Sequence, residues 1–184
     1  GCGLAGVQLA RGMGASRIVG ICSGGNAELV KSNGADEVVD YTNQKALDDF
    51  FRENEGKFDC VYDTATGSGR GEYYTKASIP LLTEGGEYVQ INGGLGVWLR
   101  GLSGCLPTGQ SLVLTSRNSR SNLDEVVRLL EKTGFRPPLL SQEFSDTGVD
   151  DGFRLLKSRR AKGKIVFRVS EATMEDNDST NNVE

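Results

Sequence analysis

The chain has 184 residues, enough for one domain with a sizeable apolar core. Its 25 acidic and 21 basic side chains give a formal net charge of −4, and the basic residues cluster only between Lys157 and Lys164. This balance argues against a nucleic-acid-binding or membrane-surface protein, since both classes use larger basic patches. The sequence also contains no apolar run of about 20 residues, the length that a membrane-spanning helix requires.

The first third of the chain alternates between helical and strand-like patterns. Leu4–Arg11 is predicted to be a helix, because apolar residues are grouped there and Gly12–Gly14 follows. The next helix with a clear apolar side carries Leu47, Phe50 and Phe51. That helix is predicted over 44–53, and the other elements predicted here are a strand over 17–22, a helix over 27–32 and strands over 37–39 and 58–63.

The remainder continues the alternation. Ser121 is the predicted cap of an amphipathic helix, since the Ser-Asn-Leu-Asp sequence resembles a capping box. Four apolar residues are expected on the inner face of this helix: Val126, Val127, Leu129 and Leu130. The other predicted elements are a helix near 73–78, a turn at 84–86, strands over 87–91, 111–115 and 164–169, and a helix over 150–158. Residues 170–184 are polar and acidic, so we expect a disordered tail.

Strands separated by helices of about ten residues favour βαβ units and a parallel sheet. The predicted fold class is therefore α/β, with a doubly wound parallel sheet. A TIM barrel has the same alternation, but the chain is short for eight such units.

The cysteines give no indication of a metal site. Cys2, Cys22, Cys60 and Cys105 are scattered without a CxxC pair, and the sequence contains no histidine. We expect reduced, mostly buried thiols in an intracellular protein, and no metal in this chain.

Five short segments stand in order along residues 1–169; each is a weak signal alone, but the ordered set is a strong one. They are GCGLAGVQLA at 1–10, NGADEVVDY at 33–41, FDCVYDT at 58–64, LTEGGEYV at 82–89 and AKGKIV at 161–166. In this order and spacing they are similar to the cofactor-binding domain of medium-chain dehydrogenases/reductases, specifically the quinone oxidoreductase-like branch of the zinc-type alcohol dehydrogenases. The resemblance implies a Rossmann domain over residues 1–169 that binds NADP(H).

Two features of that family are missing. The family's glycine fingerprint begins before Gly1, at the end of a strand that is central in the sheet order 3-2-1-4-5-6. Without this central strand, the strands on either side of it would have unpaired edges. Each unpaired buried backbone group costs about a few kcal/mol of folding free energy. We therefore expect the chain to be a fragment of a protein whose true start lies upstream of Gly1, or another segment to fill this place. The catalytic GroES-like lobe is also expected to lie outside these residues.

Three places are the candidate cofactor site. At Gly1, Cys2, Gly3 and Leu4, free amides at a helix N-terminus can bind a pyrophosphate, although a tight helix entry would have the same sequence. After the strand at 17–22, the turn that begins at Ser23 has no Asp or Glu of the kind that holds the ribose in NAD sites. This absence favours NADP.

The resemblance assigns the 2′-phosphate contacts to Ser23 and Tyr41. Its usual Lys or Arg is replaced here by Gly25, for which Asn26 or Lys31 can partly compensate. Ser23 as a helix cap and Tyr41 as a packing residue are the alternative interpretations.

The third place is formed by loops after the later strands, where ligands of open α/β sheets bind. The candidates are Asp63, Thr64 and Gly67 after one strand, Asn92, Gly93 and Gly94 after the next, and more weakly Thr115, Ser116 and Arg117. A turn-forming role is the alternative for Asp63. No catalytic residue can be named.

The resemblance implies an oxidoreductase that transfers hydride to a quinone, an activated alkene or a carbonyl compound, with this fragment inactive alone. A non-catalytic NADPH-binding module and a methyltransferase that uses S-adenosylmethionine remain alternatives. The expected partners are the dinucleotide and, together with the missing lobe, a small-molecule substrate. A homodimer is left open. The expected compartment is the cytoplasm, with the mitochondrion as the alternative.

Overall fold

The computed structural model describes residues 1–66, 74–91, 95–105, 109–112, 119–158 and 160–169, with backbone alone for 110–112. The chain divides into a larger unit, Cys2–Arg136, and a smaller unit formed by Pro137–Glu184 with Gly1. Within the described ranges, none of the helices has the length and apolar character of a membrane span.

The larger unit alternates helices with parallel strands. Its helices are α1 (Cys2–Gly12), α2 (Ala27–Ser32), α3 (Gln44–Glu53), α4 (Thr75–Ser78), α5 (Leu95–Leu102) and α6 (Arg120–Thr133). Its strands are β1 (Val19–Cys22), β2 (Glu37–Asp40), β3 (Phe58–Asp63), β4 (Leu82–Gln90) and β5 (Gln110–Leu112). β1 pairs with β2, and β4 lies between β3 and β5, all in parallel. Among the described residues, no strand joins β1 to β3.

The core of the larger unit is built from the apolar sides of these helices and strands. Leu47 and Phe50 of α3 are buried, as the sequence predicts, and the Phe50 ring lies 6.0 Å from the ring of Phe58 on β3. Tyr88 of β4 is 1% exposed. Burial of a large apolar side chain contributes about 1.5–3 kcal/mol, so these residues hold α3 and β4 in the core.

Helix α1 is fixed by polar as well as apolar contacts. The buried amide of Gln8 donates to Asn33 Oδ1 at 2.6 Å and to the carbonyl of Arg136 at 3.2 Å. At the end of the helix, a Cβ on Gly12 would lie 3.2 Å from Leu129 Cβ of α6, so the two helices approach closely at this glycine. These contacts hold the orientation of the α1 N-terminus, which belongs to the candidate site.

The smaller unit is a βαβ unit. Its elements are β6 (Leu139–Glu143), α7 (Asp146–Lys157) and β7 (Lys164–Arg168), and the two strands are parallel. The ring of Phe167 packs against Phe144 at 6.3 Å and Phe153 at 6.4 Å, and a Cβ on Gly152 would lie 2.7 Å from it. Aromatic packing onto β7 therefore holds α7 in place.

Several predicted boundaries are wrong. The cap of α6 is Ser119, whose hydroxyl accepts from the N–H of Asn122, and Ser121 lies inside the helix. Val127 is 52% exposed and therefore does not belong to the inner face of α6, whereas Leu129 is buried. Helix α7 begins before the predicted position at Asp150, and the turn predicted at 84–86 is part of β4. Helix α5 and strand β6 were not predicted.

Candidate functional site

The first turn of α1 lies beside the carboxyl end of β3. A Cβ on Gly3 would lie 3.2 Å from Thr64 Oγ1, and a Cβ on Gly6 would lie 2.6 Å from two carbons of the Tyr62 ring. Glycine at these positions allows the helix to approach the strand. Because the first amides of a helix have no partner within it, this N-terminus can bind an anion.

The four predicted residues of this turn differ in exposure. Gly1 and Cys2 are exposed, whereas Gly3 and Leu4 are half-buried. The structure therefore brings Cys2, Gly3 and the predicted site residue Thr64 together, in a position from which solvent reaches the start of the helix.

The second part of the site lies at the paired ends of β1 and β2. Cys22 and Asp40 are partners in the strand register, and the N–H of Tyr41 donates to the carbonyl of Cys22 at 3.1 Å. The loop that starts at Ser23 and the residues that follow Asp40 are therefore neighbours. Tyr41 is 40% exposed, so its phenol can reach a ligand.

The predicted contacts Ser23 and Asn26 bind each other. Asn26 Nδ2 donates to Ser23 Oγ at 3.1 Å, and the N–H of Asn26 donates to the carbonyl of Ser23 at 2.8 Å. Ser23 precedes the short 3₁₀ turn Gly24–Asn26, but its side chain caps no backbone N–H there. Its hydroxyl can donate as well as accept, so the loop retains hydrogen-bonding capacity for a ribose or a phosphate.

Asp63 ends β3 and forms hydrogen bonds within the protein. Its Oδ1 accepts from the N–H groups of Ala65 at 2.8 Å and Thr66 at 2.9 Å, and its Oδ2 accepts from the hydroxyl of Tyr88. Burial opposes ionisation, but the bonds from Thr66, Tyr88 and Ala65 outweigh it and hold the pKa of Asp63 below its ordinary value. The carboxylate therefore holds the residues that follow it, including Thr64, in a fixed turn.

Tyr88 is a residue of this cluster that the sequence did not indicate. Burial and the neighbouring Asp63 carboxylate raise the pKa of its phenol, so it is a hydrogen-bond donor at neutral pH. The hydroxyl also lies 3.0 Å from Thr75 Oγ1. No local sequence signal marks this role, because the partner of Tyr88 is 25 positions away.

The third predicted group falls largely outside the described residues. Asn92, Gly93 and Gly94 lie there, as do Gly67, Thr115, Ser116 and Arg117. Their part in the site stays a prediction.

Comparison with known proteins identifies the family of this chain. The family described as "Zinc-binding dehydrogenase" matches residues 33–167, more than half of the chain. The chain belongs to this family. The sequence resemblance to medium-chain dehydrogenases/reductases is thereby confirmed.

Two curated relatives of this zinc-binding dehydrogenase domain are named as reductases. A 2-methylene-furan-3-one reductase of Solanum lycopersicum is 33% identical over 163 residues, which cover 88% of this chain and 36% of that protein. A trans-enoyl reductase of Penicillium oxalicum is 31% identical over 170 residues, covering 82% of this chain and 43% of that protein. The chain thus spans less than half the length of these curated relatives. They support an oxidoreductase domain.

Solved structures establish the fold. The quinone oxidoreductase of Coxiella burnetii has a TM-score of 0.67 and 22% identity, covering 92% of this chain and 50% of that chain. A quinone oxidoreductase of Thermus thermophilus, solved also in complex with NADPH, has a TM-score of 0.58 and 22% identity, covering 89% and 53%. The predicted Rossmann-like α/β fold with parallel strands is confirmed.

The family's description mentions zinc, but the residues that the structure describes do not supply the donor set for a metal. In the part of the chain that the structure describes, no group of three or more His, Cys, Asp or Glu side chains is placed to hold an ion. The sequence has no histidine to add to such a group. These residues therefore do not fit a zinc site.

The cysteines differ from expectation in their exposure. All four are free thiols, but Cys2, Cys60 and Cys105 are exposed and Cys22 is half-buried, so the prediction of mostly buried thiols is wrong. Burial, and then the charge of Asp40, raises the pKa of Cys22. Burial, and then the charges of Glu87 and Asp59, raises that of Cys60. Both thiols stay protonated at neutral pH, which makes them weak nucleophiles.

Proposed function

We propose that this chain is the NADP(H)-binding part of an oxidoreductase that transfers hydride to a quinone, an activated alkene or a carbonyl compound. The observation that carries the proposal is the close approach of the α1 N-terminus to Thr64 at the carboxyl end of β3. A dinucleotide pyrophosphate binds at such a position, where glycine lets it approach the helix amides. The reductase relatives support the same class of reaction.

The family fold implies a nicotinamide cofactor, and the described residues fit one. Gly3 leaves the space beside Thr64 that a Cβ would occupy. The loop from Ser23 to Asn26 carries a hydroxyl and an amide, and it directly follows Cys22, whose carbonyl accepts from the N–H of Tyr41. We assign the pyrophosphate to residues 1–4, and the adenosine ribose with its 2′-phosphate to Ser23, Asn26 and Tyr41. Asn92, Gly93 and Gly94 remain predicted contacts of the cofactor.

In this proposal, Asp63 does not contact the cofactor directly. Its oxygens accept from Ala65, Thr66 and Tyr88, so it fixes the turn that places Thr64 beside Gly3. Asp63 therefore acts through Thr64 as a positioning residue.

When bound, the reduced nicotinamide supplies the hydride, and the protein supplies binding, orientation and exclusion of water. The α1 N-terminus orients the pyrophosphate, and the loops after β1 and β2 orient the adenosine. We propose that the substrate pocket is completed by a catalytic lobe outside these residues, and that the chain alone does not turn over. A cytoplasmic location is part of the same proposal, with the mitochondrion as the alternative location, and a homodimer stays open.

A further strand belongs to the proposal. β1 pairs with β2 and β3 pairs with β4, and no described strand joins the two sheets. In the order typical of a dinucleotide-binding sheet, one parallel strand lies at this position. We propose that a strand outside the described residues pairs with β1 and β3 in the native protein.

Titration of the 184-residue chain with NADPH, NADH and S-adenosylmethionine tests the function. The fluorescence of Trp98, the single tryptophan of the chain, is followed together with thermal unfolding, which detects binding independently because a ligand stabilises the native state by mass action. We expect NADPH to raise the melting temperature and S-adenosylmethionine to leave it unchanged. A folded chain that responds to no nucleotide contradicts the proposal.

A matched pair of variants locates the site. Gly3→Val places a side chain against Thr64 and the helix amides, so we expect NADPH affinity to fall by about tenfold or more, equivalent to about 1.4 kcal/mol. Ala5→Val puts the same side chain on an exposed position of the same helix and should leave the affinity unchanged. Equal affinities in the two variants would place the pyrophosphate elsewhere.

A further inference from the structure

A carboxylate lies against the loop that is assigned to the adenosine ribose, and it comes from the neighbouring strand. Asp40 ends β2 opposite Cys22, and its Oδ1 accepts from the N–H of Thr42 at 2.9 Å and from Thr42 Oγ1 at 2.7 Å. A Cβ on Gly24 would lie 2.5 Å from Asp40 Oδ2. The second oxygen therefore touches the loop backbone between Ser23 and Asn26.

This carboxylate is charged at neutral pH. The bonds from the Thr42 side chain and N–H, with a further one from the N–H of Gly24, hold the pKa of Asp40 below its ordinary value. All three donors are neutral groups. Among the residues that the structure describes, no Lys or Arg forms an ion pair with Asp40. Its charge also reaches Cys22, since it contributes to the raised pKa of that thiol.

We propose that Asp40 is a specificity-determining residue that lowers the affinity for NADPH relative to NADH. The proposal rests on the proposed function, which places the ribose at the Ser23–Asn26 loop. A 2′-phosphate at this loop carries up to two negative charges, and a third negative charge nearby opposes its binding. The free 2′-hydroxyl of NADH is neutral and does not meet this repulsion.

The loop has a glycine at the position where a cation would offset this charge. Gly25 lies beside Gly24, and a Cβ on Gly25 would meet no atom within 4 Å. The sequence alone indicates that the end of β1 carries no acid and therefore favours NADP. The structure brings a carboxylate, that of Asp40, to the same loop from β2. We therefore expect a smaller difference in affinity between NADPH and NADH than the absence of an acid at the end of β1 indicates.

Asp40→Asn in the 184-residue chain tests the proposal, with the Kd of NADPH and of NADH measured by calorimetry. Removing one charge near a phosphate should raise NADPH affinity by about threefold to tenfold, and NADH affinity should change by less than about twofold. Higher salt should reduce the gain for NADPH, because screening weakens the repulsion that the variant removes.

Thr42→Val is the matched control. It removes one hydrogen bond to Asp40 and keeps the charge, so the ratio of the two Kd values should stay that of the native chain. Asp40→Ser, which also removes the charge, serves as a second variant if Asp40→Asn unfolds at a lower temperature.

Each outcome has a defined meaning. Dinucleotide binding with an unchanged ratio in both charge-removing variants overturns the role of Asp40 and leaves the proposed function standing. A shift of the ratio in Thr42→Val as large as that in Asp40→Asn means that loop geometry, and not charge, sets the preference. Binding of neither dinucleotide to the native chain overturns the proposed function and this inference together.

Discussion

Asp63 and Tyr88 form a buried charge-assisted hydrogen bond that the sequence does not predict. The position of Asp63 at the end of an apolar strand is visible in the sequence, and so is the alternative that it forms a turn. The structure gives it bonds to Ala65 and Thr66 that are typical of a turn. The bond to Tyr88 joins two strands, and such a contact depends on register, which local sequence does not specify.

Tyr88→Phe should lower the free energy of unfolding by about 1.5–3 kcal/mol, because one oxygen of a buried carboxylate loses its donor. Urea denaturation followed by circular dichroism measures this change. Tyr62→Phe is the control: Tyr62 is 45% exposed, so its change should stay within about 0.5 kcal/mol. Equal losses in the two variants would mean that the Tyr88 hydroxyl contributes no more than a surface one.

The Asp63 carboxylate should make the free energy of unfolding depend on pH. The folded-state pKa of Asp63 is lowered, so its contribution is fully present above the ordinary Asp value of 3.8 and is lost as the pH falls through the lower folded value. Melting temperatures of the native chain and of Asp63→Asn, measured from pH 7 to pH 2, check this. We expect the variant to be less stable at pH 7 and the difference to narrow below about pH 4. A constant difference over the whole range contradicts this linkage.

Among the secondary-structure elements, those with complete local signals were predicted well. The bounds of α2, α3 and β3 agree with prediction, since glycine, polar caps and apolar periodicity mark them. Helix α5 was missed; its apolar residues Leu95, Leu99 and Leu102 are exposed, so apolar residues alone do not mark the inner face of this helix. Strand β6 contains Ser141, Gln142 and Glu143, and it is defined by pairing with β7 more than twenty residues later.

Helix α6 offers a direct test of the observed cap against the predicted one. Ser119→Ala removes the acceptor for the N–H of Asn122 and should lower the free energy of unfolding by about 1 kcal/mol. Ser121 lies inside the helix. Ser121→Ala should therefore leave the free energy of unfolding unchanged or raise it slightly, because alanine is the better helix former. Urea denaturation of both variants measures this, and the reverse order of stabilities would restore Ser121 as the cap.

Over the whole molecule, the sequence predicts the class of fold better than the composition of the site. Alternating helices and strands indicate parallel sheets, and the structure has them in both units. The site depends on which strand ends are neighbours. Asp40 lies beside the Ser23 loop because β1 pairs with β2. The motif after β1 therefore does not predict this contact by itself.

The two glycines of the Ser23–Asn26 loop differ in whether they can be replaced by a residue with a side chain. At Gly24 a side chain would collide with Asp40, whereas at Gly25 it would meet open space. One base substitution converts any glycine codon into an arginine codon. For a domain that binds dinucleotides as proposed, a cation that attracts a 2′-phosphate is thus one mutational step away at position 25. The same step at position 24 requires the Asp40 carboxylate to move.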